Sequence, residues 1–230
     1  MTIDTHPAQK QEPSEGAGEF RYGVVFVLML ALVVFVISAP SANWSRAVAL
    51  AIEGVALVVA IATTREPDAA RYRKALVVGL VLIALIIIVA TGTASLQFTA
   101  AVEALVTLAV PASIVRGSLR LLREQGVTLQ AVAGGLAIYL SLGLLFAWII
   151  GFIIHVTSTP YFAQHTNGTE GDWVYFSFTV LTTTGFGDFS AATPAGHALA
   201  VIEMLTGQLY LVTIIGLLIG NYISRRMKTT

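Results

Sequence analysis

The chain has no cysteine, which excludes disulfides, thiolate chemistry and cysteine-ligated zinc. It is also poor in charge: 11% of its 230 residues are Asp, Glu, Lys or Arg, against 56% hydrophobic. A soluble domain of this length needs more polar surface than that to cover its core. Thirteen basic residues balance thirteen acidic ones, so no global attraction to nucleic acid follows. The first 20 residues (MTIDTHPAQKQEPSEGAGEF) lack the apolar stretch of a signal peptide and are expected to be a disordered cytoplasmic tail. The chain is rich, however, in apolar runs of about 20 residues, the length that crosses a bilayer. A polytopic membrane protein is the expectation.

Hydropathy predicts six spans, roughly 22–39, 47–63, 75–92, 98–115, 130–157 and 195–223. Each is apolar on most faces, and helices satisfy their backbone groups internally where lipid replaces water. The alternating pattern of a β-barrel strand is absent from the sequence. With the N-terminus in the cytoplasm, the inner side holds Lys10, Arg21, Arg65, Arg71, Arg73, Lys74, Arg116, Arg120, Arg123, Arg225, Arg226 and Lys228, and the outer side only Arg46. That bias is what the positive-inside rule expects of a multi-pass protein of the cell membrane with both termini cytoplasmic.

Residues 158–194 break the pattern. They are too polar for a full span and too aromatic for an idle loop. Asp172–Leu181 (DWVYFSFTVL) is one short apolar helix long, and TTTGFGDFSAATP comes directly after it. A short helix leading into a Gly-rich strand reads as a re-entrant segment. Irregular backbone survives at membrane depth only when buried in protein or lining a water-filled path.

Thr182, Thr183, Thr184, Gly185, Phe186, Gly187 and Asp188 resemble the selectivity-filter signature of the potassium channel family, most often T-T-V-G-Y-G-D. Thr184 stands where Val or Ile usually packs behind the filter. Phe186 replaces the common Tyr, as it does in several potassium-selective branches. The resemblance covers about residues 135–225 and is to six-span channels of prokaryotic type with one pore segment and no cytosolic regulatory domain. It implies an all-α membrane protein of six transmembrane helices plus a re-entrant pore helix and filter, assembled as a tetrameric pore.

By that resemblance, Thr183, Thr184, Gly185 and Phe186 hold K+, with Gly187 completing the filter. A potassium ion must exchange its hydration shell for protein oxygens at little net cost. Carbonyls aimed at one axis need alternating backbone conformations, which Gly185 and Gly187 permit by accepting positive φ. The chain has one such segment, so closing each ring of oxygens takes a homotetramer. Asp188 corresponds to the acid just outside the filter. Trp173, Tyr175 and Phe176 correspond to an aromatic collar around it, with Thr179 and Thr182 also in support. Trp173 fits an interfacial anchor equally well.

In the sixth span, Gly207 falls where inner helices bend in many channels, although close helix packing also uses glycine. Gln208 is expected to face the cavity below the filter, and Leu211 and Ile215 to line the lower pore, where apolar rings gate by dewetting. Glu203 is an intramembrane carboxylate and so a functional candidate. It is expected behind the filter, bonded to Thr179 or Thr182, as a structural contact or a protonation switch. His155, His165 and His197 lie toward the outer face and titrate in the physiological range when unperturbed.

Residues 21–127 form a four-helix membrane domain like a degenerate voltage sensor with an amphipathic linker, 128–226 the pore domain, and 227–230 a short tail. The fourth span carries Glu103 and Pro111 but no basic residue, so strong voltage gating is not expected. Glu53, Glu103 and Glu203 lie on separate spans, without a nucleophile–base pair or metal-ligand spacing. No enzyme and no cofactor is expected; the partners are lipid, K+ and copies of the chain. Two rivals stand beside this reading. One is a weakly selective cation channel of the same fold, suggested by Thr184. The other is a potassium transporter subunit, which usually carries four filter-like segments in one chain.

Overall fold

The computed structural model describes residues 21–63, 68–93, 95–124 and 129–228. The tail at 1–20, Lys10, Arg65 and the chain end at 229–230 lie outside the described residues, as do the side chains of Arg21, Arg71, Arg116, Arg120, Arg123, Arg225, Arg226 and Lys228. The helices are α1 (Arg21–Ser38), α2 (Asn43–Thr63), α3 (Asp68–Ala90), α4 (Leu96–Glu124), α5 (Leu129–Val156), α6 (Glu170–Leu181), α7 (Pro194–Leu209) and α8 (Gly216–Lys228). A π-helical turn, Tyr210–Ile215, joins α7 to α8. Among the described residues there are no strands, only isolated bridges that tie Phe162 to Thr166 and Ala191.

Five of these stretches are long and apolar enough to cross a membrane: α2, α3, α4, α5 and the continuous rod from Pro194 to Gly220. The first helix, apolar from Tyr22 to Ser38, is shorter. At 1.5 Å per residue it reaches about 25 Å, against about 30 Å of hydrocarbon.

The long α5 helix is the hub. It packs against α1, α4, α6, α7 and the π turn, while α2 joins α1, α3 and α4. Three of its glycines, eight residues apart, explain how it does so. A methyl group at Gly151 would lie 2.5 Å from the Trp173 ring, one at Gly143 2.6 Å from Phe178, and one at Gly135 3.0 Å from Ile215. Each missing side chain is the seat of a bulky partner, the close approach that glycine allows in membrane helices. By contrast α3 leans mainly on α2 and turns Leu76, Leu80, Ile83 and Ile87 outward.

The helix of the fourth span continues to Glu124, beyond the end expected near residue 115. The continuous apolar run stops there, but GSLRLLRE has no proline and its single Gly117 is tolerated within a helix, so the backbone goes on. Pro111 is accommodated within the helix. It costs the Thr107 carbonyl its usual intrahelical donor without ending the rod.

Candidate functional site

The short helix α6 is started deliberately. Thr169 caps it, its hydroxyl accepting from the Asp172 amide (3.3 Å) while Asp172 accepts from the Thr169 amide (2.8 Å). This reciprocal box satisfies two donors that a helix start leaves free. Glu170 and Asp172 in the first turn suit the positive end of the helix dipole. The negative end points at the Thr- and Gly-rich segment beyond Leu181.

That segment is sewn to the end of α6. The amide of Thr183 donates to Val180 (2.9 Å), and those of Thr184 and Gly185 both donate to the Thr179 carbonyl (2.8 and 3.1 Å). The backbone then alternates: φ is +58° at Thr183, +54° at Gly185 and +82° at Gly187. A β-strand sends successive carbonyls to opposite sides; a chain alternating between left- and right-handed residues sends them to one side. Gly185 and Gly187 take the left-handed region without cost. Thr183 does not, since a β-branched residue with positive φ is a true outlier and costs about 1–3 kcal/mol. Two contacts hold it there: its own amide bond and the Gln208 side-chain amide, which donates to its hydroxyl at 3.1 Å.

Support comes from behind. The Thr182 hydroxyl donates to the Phe178 carbonyl (2.6 Å) and meets the Thr184 hydroxyl at 2.8 Å. Tyr175 lays its ring parallel to that of Phe186, centroids 6.3 Å apart, and donates its hydroxyl to Asp188 at 2.8 Å. That hydrogen bond pushes the Tyr175 phenol above its usual pKa. Phe176 is buried against Phe162 and Tyr161, and Phe162 in turn meets Phe189 just beyond the segment. Trp173 turns the other way, into α5, with its indole N–H donating to the Asn167 carbonyl (2.7 Å) and its ring edge-on to His155.

On the inner helix, Gly207 is pressed against Leu181, where a methyl group would strike the Leu181 carbonyl. The helix passes through Gly207 unbroken, and the irregular turn comes three residues later. Glu203 is fully buried and contacts the Ser177 hydroxyl, which also bonds the Gly143 carbonyl (2.6 Å). Its other oxygen has no partner. The expected partners were Thr179 and Thr182, but those hydroxyls are taken by carbonyls of α6 itself. Ser177 is the α6 hydroxyl that meets Glu203 instead. Leu211 is partly buried, and Ile215 departs from expectation: it is 7% exposed and packs on Gly135 of α5, away from any open surface. The π turn holds an extra residue per turn and so rotates the helix beyond it.

Residues 138–224, from α5 to α8, match a family model described as ion channel. That stretch is therefore similar to the ion-channel family. This ion-channel segment contains α6, the alternating stretch and the inner helix, while α1–α4 lie outside it. No curated protein and no solved structure gives a match to the chain. The ion-channel segment includes contributors that composition alone did not single out: Ser177, Tyr139, Phe162 and Phe189. Of these, the two phenylalanines had a signal, being aromatic residues in the loops that flank α6 and the Thr- and Gly-rich segment.

Proposed function

We propose that the chain is one subunit of a homotetrameric potassium-selective channel. It spans the cell membrane six times with both termini cytoplasmic and conducts K+ passively, without strong voltage gating. One observation carries this reading: positive φ at every second residue, Thr183, Gly185 and Gly187, inside an ion-channel segment. A backbone presenting its carbonyls to one side needs that alternation. Thr183, Thr184, Gly185 and Phe186 would supply the oxygens, and Asp188 would gather cations at the mouth. Four copies would close each ring, with Gln208 below the filter and Leu211 further down the pore.

Purified protein in planar bilayers between unequal potassium and sodium solutions tests this. The reversal potential is expected close to the potassium equilibrium value, about 59 mV per tenfold gradient. Gly185→Ala, which forces a side chain onto φ +54°, is expected to abolish the current. A second reading, a weakly selective cation channel, is favoured by Thr184: its hydroxyl bonds Thr182 where an apolar side chain would pack. Robust current reversing near zero would establish that reading instead.

A further inference from the structure

Arg46, at the start of α2, reaches across to the pore helix. Its Nε (2.9 Å) and Nη2 (2.5 Å) both donate to Oε1 of Glu170, the first residue of α6, while Nη1 donates to Asn43 (3.2 Å). Burial works against the Glu170 carboxylate, but hydrogen bonds from Ser41 and Arg46 outweigh it and hold its carboxyl below the usual carboxylate range. Glu170 is therefore ionised at neutral pH, and its own protonation breaks the link only in strong acid.

Beside this pair lies a small cavity lined by Ser45, Arg46, Glu103, Trp148 and Glu170 and closed by Phe35 and Val36 of α1. Glu103, on α4, is 3% exposed, and its Oε1 has no hydrogen-bond partner. The charged groups within its electrostatic reach are Glu53 and Arg46 of α2 and Glu170 of α6. Neither α1 nor α5 adds a charge to the lining, and the His155 ring of α5 is turned to Trp173. Glu53 has its own donor, the Thr107 hydroxyl, which Trp148 supports with its indole N–H at 3.1 Å. Glu103 alone of the three carboxyls faces a cation that is already engaged elsewhere.

We propose that this cavity is a proton-binding site in which Glu103 competes with Glu170 for the Arg46 guanidinium. Proton uptake there would set how firmly the four-helix part is tied to the start of the pore helix. A neutral Glu103 tolerates a missing donor. Once ionised it requires a cation, because a buried charge without one is costly, and Arg46 lines the same cavity. With the proton bound, Arg46 stays on Glu170, the arrangement described above. With the proton gone, the guanidinium is drawn toward α4 and the α6 N-terminus is released from α2. This rests on the channel reading in one respect only, that α6 carries the filter.

The test is K+ current of the full chain in planar bilayers as the pH on the filter side is varied. Wild-type open probability is expected to fall from acid to alkaline pH. Glu103→Gln should remove that dependence and hold the acid-side value. Arg46→Gln and Glu170→Gln should also remove it, at the alkaline-side value. Wild-type current indifferent to pH, or a dependence that survives in Glu103→Gln, overturns the proposal. Infrared difference spectra of the purified chain between acid and alkaline buffer give a readout independent of conduction. A protonated-carboxyl band present in wild type and missing in Glu103→Gln is expected, and its persistence in the variant overturns the site. The band without any K+ current would sink the channel reading and leave the proton site standing.

Discussion

Thr183 occupies a backbone region that its own side chain opposes, and it does so because Gly185, Gly187 and the α6 carbonyls fix the chain on either side. The glycines were legible in the sequence. The left-handed threonine was not, since β-branching argues against it and only the alternation demands it. The same limit applies to Gly207, where hinge and close packing read alike until Leu181 is seen against it. Gly207→Ala is expected to destabilise by about 1–3 kcal/mol through overpacking and to shift the foot of the filter, seen as a lower thermal midpoint together with reduced K+ current. Glu203 poses a different question. The Ser177 hydroxyl has one proton and two acceptors around it, so a donor at position 203 suits the site. Glu203→Gln is expected to keep stability and current. Glu203→Leu leaves Ser177 and its surroundings short of a partner, at about 1–3 kcal/mol, measurable as a lower midpoint in denaturant. Equal loss in both variants would show that the carboxylate charge itself is needed.

Helices were easy to read here and their mutual register was not. Long apolar runs specify spans, and the short aromatic run specifies α6, because hydrophobicity and length are properties of the sequence itself. The π turn at Tyr210–Ile215 has no such signature in YLVTII, so counting by i+3 and i+7 from Gln208 assumes an uninterrupted helix. One added residue turns the helix beyond it by roughly 100°, enough to carry Ile215 from the pore side onto Gly135. The contacts that hold the turn in place are visible: the Tyr210 hydroxyl donates to the Gly135 carbonyl at 2.8 Å, and its ring stacks on Tyr139, which reaches the Leu181 carbonyl at 3.4 Å. The two tyrosines thus connect the π turn, α5 and the end of α6. Removing one hydroxyl with Tyr210→Phe keeps the stack and loses the bond, so a cost of about 1 kcal/mol is expected. If the π turn is where the inner helix changes shape, the variant should also alter open times in single-channel records. Unchanged open times with reduced stability would assign the bond a purely structural role.

Across the whole molecule, burial is lopsided. In the span Leu129–Val156, 61% of the apolar window is buried, but in Pro194–Gly220 only 17%, and Thr182–Asp188 are exposed throughout. Lipid can cover the apolar inner helix. It cannot cover a run of outward carbonyls and threonine hydroxyls, because unsatisfied polar groups in hydrocarbon cost several kcal/mol each. Copies of the chain around a hydrated ion path, as proposed, would cover the apolar helix and solvate the polar run at once. In the proposed tetramer the ion would be part of the assembly, since it would supply the positive charge that the facing oxygens share. Anything bound by the assembled form alone stabilises it, by about 2.7 kcal/mol when its concentration is 100 times its dissociation constant. Native mass spectrometry in potassium should give four times the chain mass, and the tetramer should melt at a higher temperature in potassium than in sodium at equal ionic strength. Gly185→Ala should lose that difference while still assembling, because the strained residue would lie in the ion path of the proposed tetramer and has nothing within contact distance in its own subunit. Equal melting in both salts would instead mean that the oxygens do not distinguish the two ions, the outcome a weakly selective pore requires.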